Sequence, residues 1–147
     1  MKATMLAPAA VLILWSLVML FWMAFSRFKA MKASGSDLTT ARPGGRGQDL
    51  EGVLTERANW KAHNYTHLME QPTIFYPAVI ILAMMGASPM DVFFAWGYVL
   101  FRIIHSVYQA TVNRVAVRFP LFLVSTIALV WLAVRAVMVT LFTSSLS

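Results

Sequence analysis

Long apolar stretches alternate with short polar ones along this chain, and the spacing of the two sets the expected architecture. A helix rises 1.5 Å per residue, so about 20 apolar residues cross the roughly 30 Å hydrocarbon core of a bilayer. Four stretches meet that length, at about residues 6–26, 56–85, 89–112 and 120–142. The expected fold is all-α, an integral membrane four-helix bundle in one domain over residues 1–147.

The first stretch is uncharged from Leu6 to Phe25 and carries Trp15 and Trp22, which suit a helix anchored at the bilayer interface. A cleavable signal has a shorter apolar run and a small-residue cleavage site. Here the run ends in Ser26-Arg27-Phe28-Lys29, so an uncleaved anchor helix is expected.

Residues 29–55 hold five of the seven glycines together with Ser34, Ser36 and Pro43, the composition of a flexible connection. The second helix contains Pro72 and Pro77, each expected to kink it by removing a backbone donor. Gly86-Ala87-Ser88 is expected to turn tightly. Ser88 then caps the third helix, with Pro89 at its first position and Asp91 near the positive end of its dipole. A short basic turn over residues 113–119 leads to Pro120, which suits the start of helix four, and a small polar tail follows.

Composition agrees with a bilayer setting, since 59% of residues are apolar and 12% charged. Arg27, Lys29, Lys32, Arg42, Arg46, Arg57 and Lys61 cluster around the first loop, Arg114 and Arg118 lie on the third, and the second has no basic residue. The positive-inside rule therefore puts the first and third loops in the cytoplasm and both termini on the far side, as in a bacterial inner-membrane protein. The net charge of +6 reflects that topology and attraction to anionic lipid head groups. No soluble basic module exists to enter a nucleic-acid groove. The absence of cysteine excludes disulfides, thiolate metal sites and cysteine nucleophiles.

Ionisable groups inside membrane helices are costly and usually face the bundle interior. On the second helix Asn59, His63, His67 and Glu70 recur at helical spacing, and on the third Tyr98, Arg102, His105, Gln109 and Asn113 do the same. These two stripes can line one cavity or pair with each other, most simply through Glu70 and Arg102. A purely structural ion pair and a ligand site are both open at this point. In helix four, Arg135 is expected to reach the far interface or meet Asp91.

The run Arg57, then His63-Asn64-Tyr65-Thr66-His67-Leu68-Met69-Glu70-Gln71-Pro72, then Phe75-Tyr76, resembles the helix-two signature of the MAPEG family, membrane-associated proteins of eicosanoid and glutathione metabolism. Arg102-x-x-His105, Tyr108-Gln109, Asn113-Arg114 and Arg118 are similar to its third-helix motif, and the pattern looks closest to a bacterial branch. The resemblance implies a homotrimer that binds glutathione between subunits and a lipophilic small molecule beside it. It implies Glu70, Arg102 and His105 as glutathione contacts, with Gln109 and Asn113 beside them. Arg118 falls where some members carry the arginine that stabilises the glutathione thiolate, as a fixed cation can. Thr66-His67 stands where classical members have Arg-Asn, and Gln109 where they have tyrosine. His63, His67 and Arg57 offer partial replacements for that arginine.

Three function classes follow. One is a glutathione-dependent transferase or peroxidase acting on lipophilic electrophiles. Another is a non-catalytic lipid-binding or scaffolding trimer. The third is a metal or proton site built from His63, His67, Glu70 and His105, whose H-x-x-x-H-x-x-E spacing puts three ligand types on one helical face.

Overall fold

The structure is a computed structural model that describes residues 2–142. It is all-helical, with α1 at Lys2–Ala33, α2 at Glu56–Leu68, α3 at Pro72–Met85, α4 at Pro89–Thr111 and α5 at Val115–Leu141. The polar tail expected after residue 142 lies outside the described residues. Helices α2 and α3 together form one membrane-length span, and with α1, α4 and α5 they make four spans long and apolar enough to cross a bilayer. Helix α5 packs on α3 and α4, while α1 packs on α2, α3 and α4.

Helix α1 extends past the expected residues 6–26 at both ends. Ala30, Met31, Lys32 and Ala33 are good helix formers, so the helix outlasts the apolar run. It stops where Gly35 adopts φ +77°, with Ser36 N–H donating to the Met31 carbonyl and Gly35 N–H to that of Lys32. This is a Schellman ending, which needs a residue free to enter the left-handed region. The connection to α2 contains two short 3₁₀ turns, Leu38–Thr40 and Gly47–Leu50. Asp37 accepts from the Thr39 amide at the first, and that bond holds its carboxyl below the usual carboxylate range. Asp49 accepts from the Arg46 amide at the second.

The second span is broken where kinks were expected. Met69, Glu70 and Gln71 separate α2 from α3, and Pro72 begins α3 at a position where the missing donor costs nothing. Pro77 lies inside α3. Pro120 differs too, because α5 begins at Val115 and carries Pro120 within it. The reversal is made earlier, at Asn113, whose φ of +55° is a conformation that asparagine tolerates better than most side chains.

At the Gly86 end the packing is closed by one carboxylate. Ser88 and Asp91 cap α4 reciprocally, with the Ser88 amide donating to Asp91 Oδ2 at 2.8 Å and the Asp91 amide donating to Ser88 Oγ at 3.2 Å. Asp91 is fully buried, yet it also accepts from Trp131 Nε1 at 3.2 Å and from Arg135 Nε and Nη2 at 3.0 and 3.2 Å. This fork ties α5 to the start of α4, next to the stacked rings of Phe94 and Trp131.

Asp91→Ala is expected to destabilise the folded protein by about 2–3 kcal/mol, because donors aimed at a buried carboxylate lose their acceptor. Adding Arg135→Ala should recover part of that loss by removing the unpaired cation. A denaturing-detergent titration of the single and double variants, followed by circular dichroism, reads both effects.

Candidate functional site

The polar stripe of α4 turns inward as its spacing requires: Tyr98, Arg102, His105 and Gln109 are all buried. Among the described residues Arg102 is the largest fully buried side chain, and it carries a charge into a membrane span. Its compensation comes from the end of α2. Nη2 donates to the His67 carbonyl at 3.1 Å, and Nη1 stands 3.2 Å from His67 Nε2. The same carbonyl accepts from the Glu70 amide at 3.2 Å, so Arg102 takes its second lone pair, at the negative end of the α2 dipole, which attracts a cation.

The chemistry of the donors then fixes the state of His67. A guanidinium only donates, so Nε2 must be the acceptor, and the ring proton sits on Nδ1. Nδ1 in turn lies 3.3 Å from Glu70 Oε2. The expected direct Glu70–Arg102 ion pair is therefore replaced by a relay in which the His67 imidazole stands between carboxylate and guanidinium. Glu70 lies in the break between α2 and α3, and its side chain is 63% exposed.

Beside this relay lies a pocket of about 220 Å³, lined by His67, His105, Gln109, Val115, Arg118, Phe119 and Phe122. The His67 and His105 ring centres are 5.1 Å apart, and Phe122 stands 5.4 Å from the first and 6.2 Å from the second. The Phe122 ring also faces the Arg102 guanidinium at 5.8 Å. Arg118, in the first turn of α5, donates from Nη1 to Asn113 Oδ1 at 2.6 Å. The left-handed turn at Asn113 thus orients the arginine at the pocket. Gln109 Oε1 is buried without a hydrogen-bond partner.

Of the residues singled out in the sequence, His67, His105, Gln109 and Arg118 meet at this pocket, with Glu70, Arg102 and Asn113 bonded to them. His63 and Arg57 do not line it. His63 pairs with Glu51 of the α1–α2 connection, and Arg57 is exposed on a separate cleft with Lys29 and Lys61. Among the described residues no three His, Asp or Glu side chains come together to hold a metal ion. His63 is drawn away by Glu51, so the H-x-x-x-H-x-x-E spacing does not assemble such a centre.

Sequence reasoning missed Phe122 and Gln71. Phe122 lies four residues after Arg118 on α5, a spacing that puts both on one face. Gln71 accepts from the Tyr98 hydroxyl at 3.1 Å and donates to Thr126 Oγ1 at 3.0 Å, joining α4, the helix break and α5. Its position just before Pro72 was the available signal.

His67→Phe keeps a ring but removes both nitrogens, and it is expected to cost about 1–3 kcal/mol by stranding the Arg102 donor. His67→Gln restores an acceptor and should recover most of that stability in the same denaturing-detergent titration.

Comparison with known proteins gives one finding. Residues 5–138 match the MAPEG family. The chain matches no curated protein and no solved structure. The match spans nearly the whole described chain, including two membrane spans in full, most of the other two and every residue of the pocket. This multi-pass membrane protein belongs to the MAPEG family.

Proposed function

We propose that this protein is a glutathione-dependent transferase or peroxidase acting on lipophilic electrophiles, with Arg118 as the catalytic residue. The family includes glutathione transferases and peroxidases, which makes the tripeptide thiol the first ligand to test against the site. The observation that carries the reading is the Arg118 side chain on a pocket that also holds two imidazoles and a buried, unpartnered Gln109 carbonyl oxygen. Glutathione supplies a thiol nucleophile. A fixed guanidinium favours the ionised form of a thiol, and Gln109 Oε1 can accept from a peptide amide. His105 and His67 add polar walls, and Phe119 and Phe122 give an apolar side for an electrophile. Glu70, Arg102 and Asn113 act as positioning residues through His67 and Arg118.

About 220 Å³ is less than the roughly 300 Å³ at which pockets for drug-sized ligands begin, so one chain encloses only part of a tripeptide. Glu70 is also exposed on a span that must face either lipid or protein. Both observations favour a neighbouring copy that covers Glu70 and completes the pocket, and the family, which typically forms trimers, makes a homotrimer the proposed assembly. In this reading the protein lies in a bacterial inner membrane with the α1–α2 connection and the α4–α5 turn on the cytoplasmic side, following the basic residues.

A second reading, a non-catalytic lipid-binding scaffold, is favoured by the Asn113 side-chain oxygen, Oδ1, which already occupies one Arg118 donor. Titration of the purified protein in detergent with glutathione separates the two, with thiolate absorbance followed at neutral pH. The expected outcome is a saturable thiolate signal, reduced roughly tenfold or more in Arg118→Ala with helical content unchanged. A thiolate signal that survives intact in that variant removes Arg118 from its role. Absence of any saturable signal in the unmodified protein leaves the scaffold.

A further inference from the structure

A larger cleft lies where α1 leaves the membrane, and it shares no lining residue with the Arg118 pocket. Its volume is about 480 Å³. One wall is the last part of α1, with Met23, Phe28 and Met31, and the other is the α1–α2 connection, with Leu38 and Leu50. Phe28 and Leu38 remain 54% and 63% exposed on these walls. Three arginines stand among this apolar lining, Arg27, Arg42 and Arg46, against one carboxylate, Asp49.

The charges are only partly used within the chain. Arg42 lies 3.6 Å from Asp49, which also accepts from the Arg46 amide. Arg27 donates from Nη2 to the Gly47 carbonyl at 3.2 Å, while its Nε is buried without a partner. Gly47 allows that approach, because a Cβ there would overlap the Arg27 guanidinium. One carboxylate against three guanidiniums leaves the lining positively charged.

The position of the cleft selects its occupant. The 32 residues of α1 reach about 48 Å, well beyond the roughly 30 Å hydrocarbon core. The uncharged run of α1 ends at Ser26 and the next residue is the basic Arg27, so the cleft begins in hydrocarbon at Met23 and ends among head groups. An apolar channel that opens onto guanidiniums at this depth matches a molecule with an acyl chain below and an anionic phosphodiester above. A soluble anion has no use for the apolar walls, and a zwitterionic lipid brings a headgroup cation that the surplus of guanidiniums repels.

We propose that this cleft is a binding site for an anionic glycerophospholipid, with an acyl chain along Met23, Phe28 and Leu38 and the phosphate held by Arg27, Arg42 and Arg46. Bound there, the lipid ties the α1–α2 connection to the membrane face. This inference stands apart from the glutathione reading, since neither Arg118 nor any other residue of that pocket takes part.

Native mass spectrometry of the full chain, released from detergent with phosphatidylglycerol, phosphatidylcholine or inorganic phosphate added, tests it. Phosphatidylglycerol should be retained at least tenfold more tightly than phosphatidylcholine. Arg42→Gln and Arg46→Gln, both at exposed positions, should each weaken it about fivefold, as expected for roughly one basic contact. A photoactivatable phosphatidylglycerol should label peptides within residues 23–50. Equal retention of the two lipids, saturable binding of phosphate alone, or labelling confined to other helices would each overturn the proposal. Circular dichroism of the variants guards against loss of fold, and Arg46→Gln, which leaves the Arg27–Gly47 and Arg42–Asp49 contacts in place, decides if Arg42→Gln misfolds.

Discussion

A guanidinium in the interior of a membrane bundle is tolerable only if the protein supplies what water no longer can. Arg102 receives it from the C-terminal turn of α2, through a carbonyl oxygen and an imidazole nitrogen of the same residue, His67. That arrangement sets conditions on much of the rest. Helix α2 must end at this depth, so the span is divided before Pro72. The imidazole must keep its Nε2 lone pair for Arg102, so its proton faces Glu70. Phe122 can then lie across the buried cation, bringing α5 and Arg118 into the same neighbourhood.

The helix break is thus more than an interruption enforced by a proline. In the break the His67 carbonyl accepts from the Glu70 amide and from Arg102 at once, using both of its lone pairs. By ending α2 at Leu68, the chain sets the helix's negative end against the cation, while Gln71 recovers the broken segment's attachment through Tyr98 and Thr126. Backbone geometry and side-chain chemistry are solved together here, as membrane proteins require wherever regular helix is interrupted.

The helices were legible because the bilayer permits so few alternatives: a long apolar run must close its own hydrogen bonds. Ser88, Pro89 and Asp91 announced the start of α4 for equally local reasons, and Arg135 had one buried carboxylate within reach of its end of the bundle. What remained hidden depended on contacts far apart in sequence or on single backbone angles. Pro120 reads as a helix start until Asn113 is seen to make the turn first. Glu70 and Arg102 read as an ion pair because spacing says nothing of a ring that fits between them. The helical period put His63 with His67, but it could not reveal that Glu51, in the preceding connection, would hold His63 elsewhere.

The buried polar atoms that lack partners belong to Arg27, Asn59, Asn64, Arg102 and Gln109. Among the described residues, all lie in the half of the bundle nearer the α1–α2 connection, whereas the Asp91 carboxylate at the Gly86 end accepts from every neighbour that reaches it. One end is thereby chemically saturated and the other has unspent valence. Such a bundle behaves as a clamp riveted at one end: sequence change at the riveted end is felt as lost stability, while the opposite jaws can be rewritten to suit a new guest without loosening the rivet.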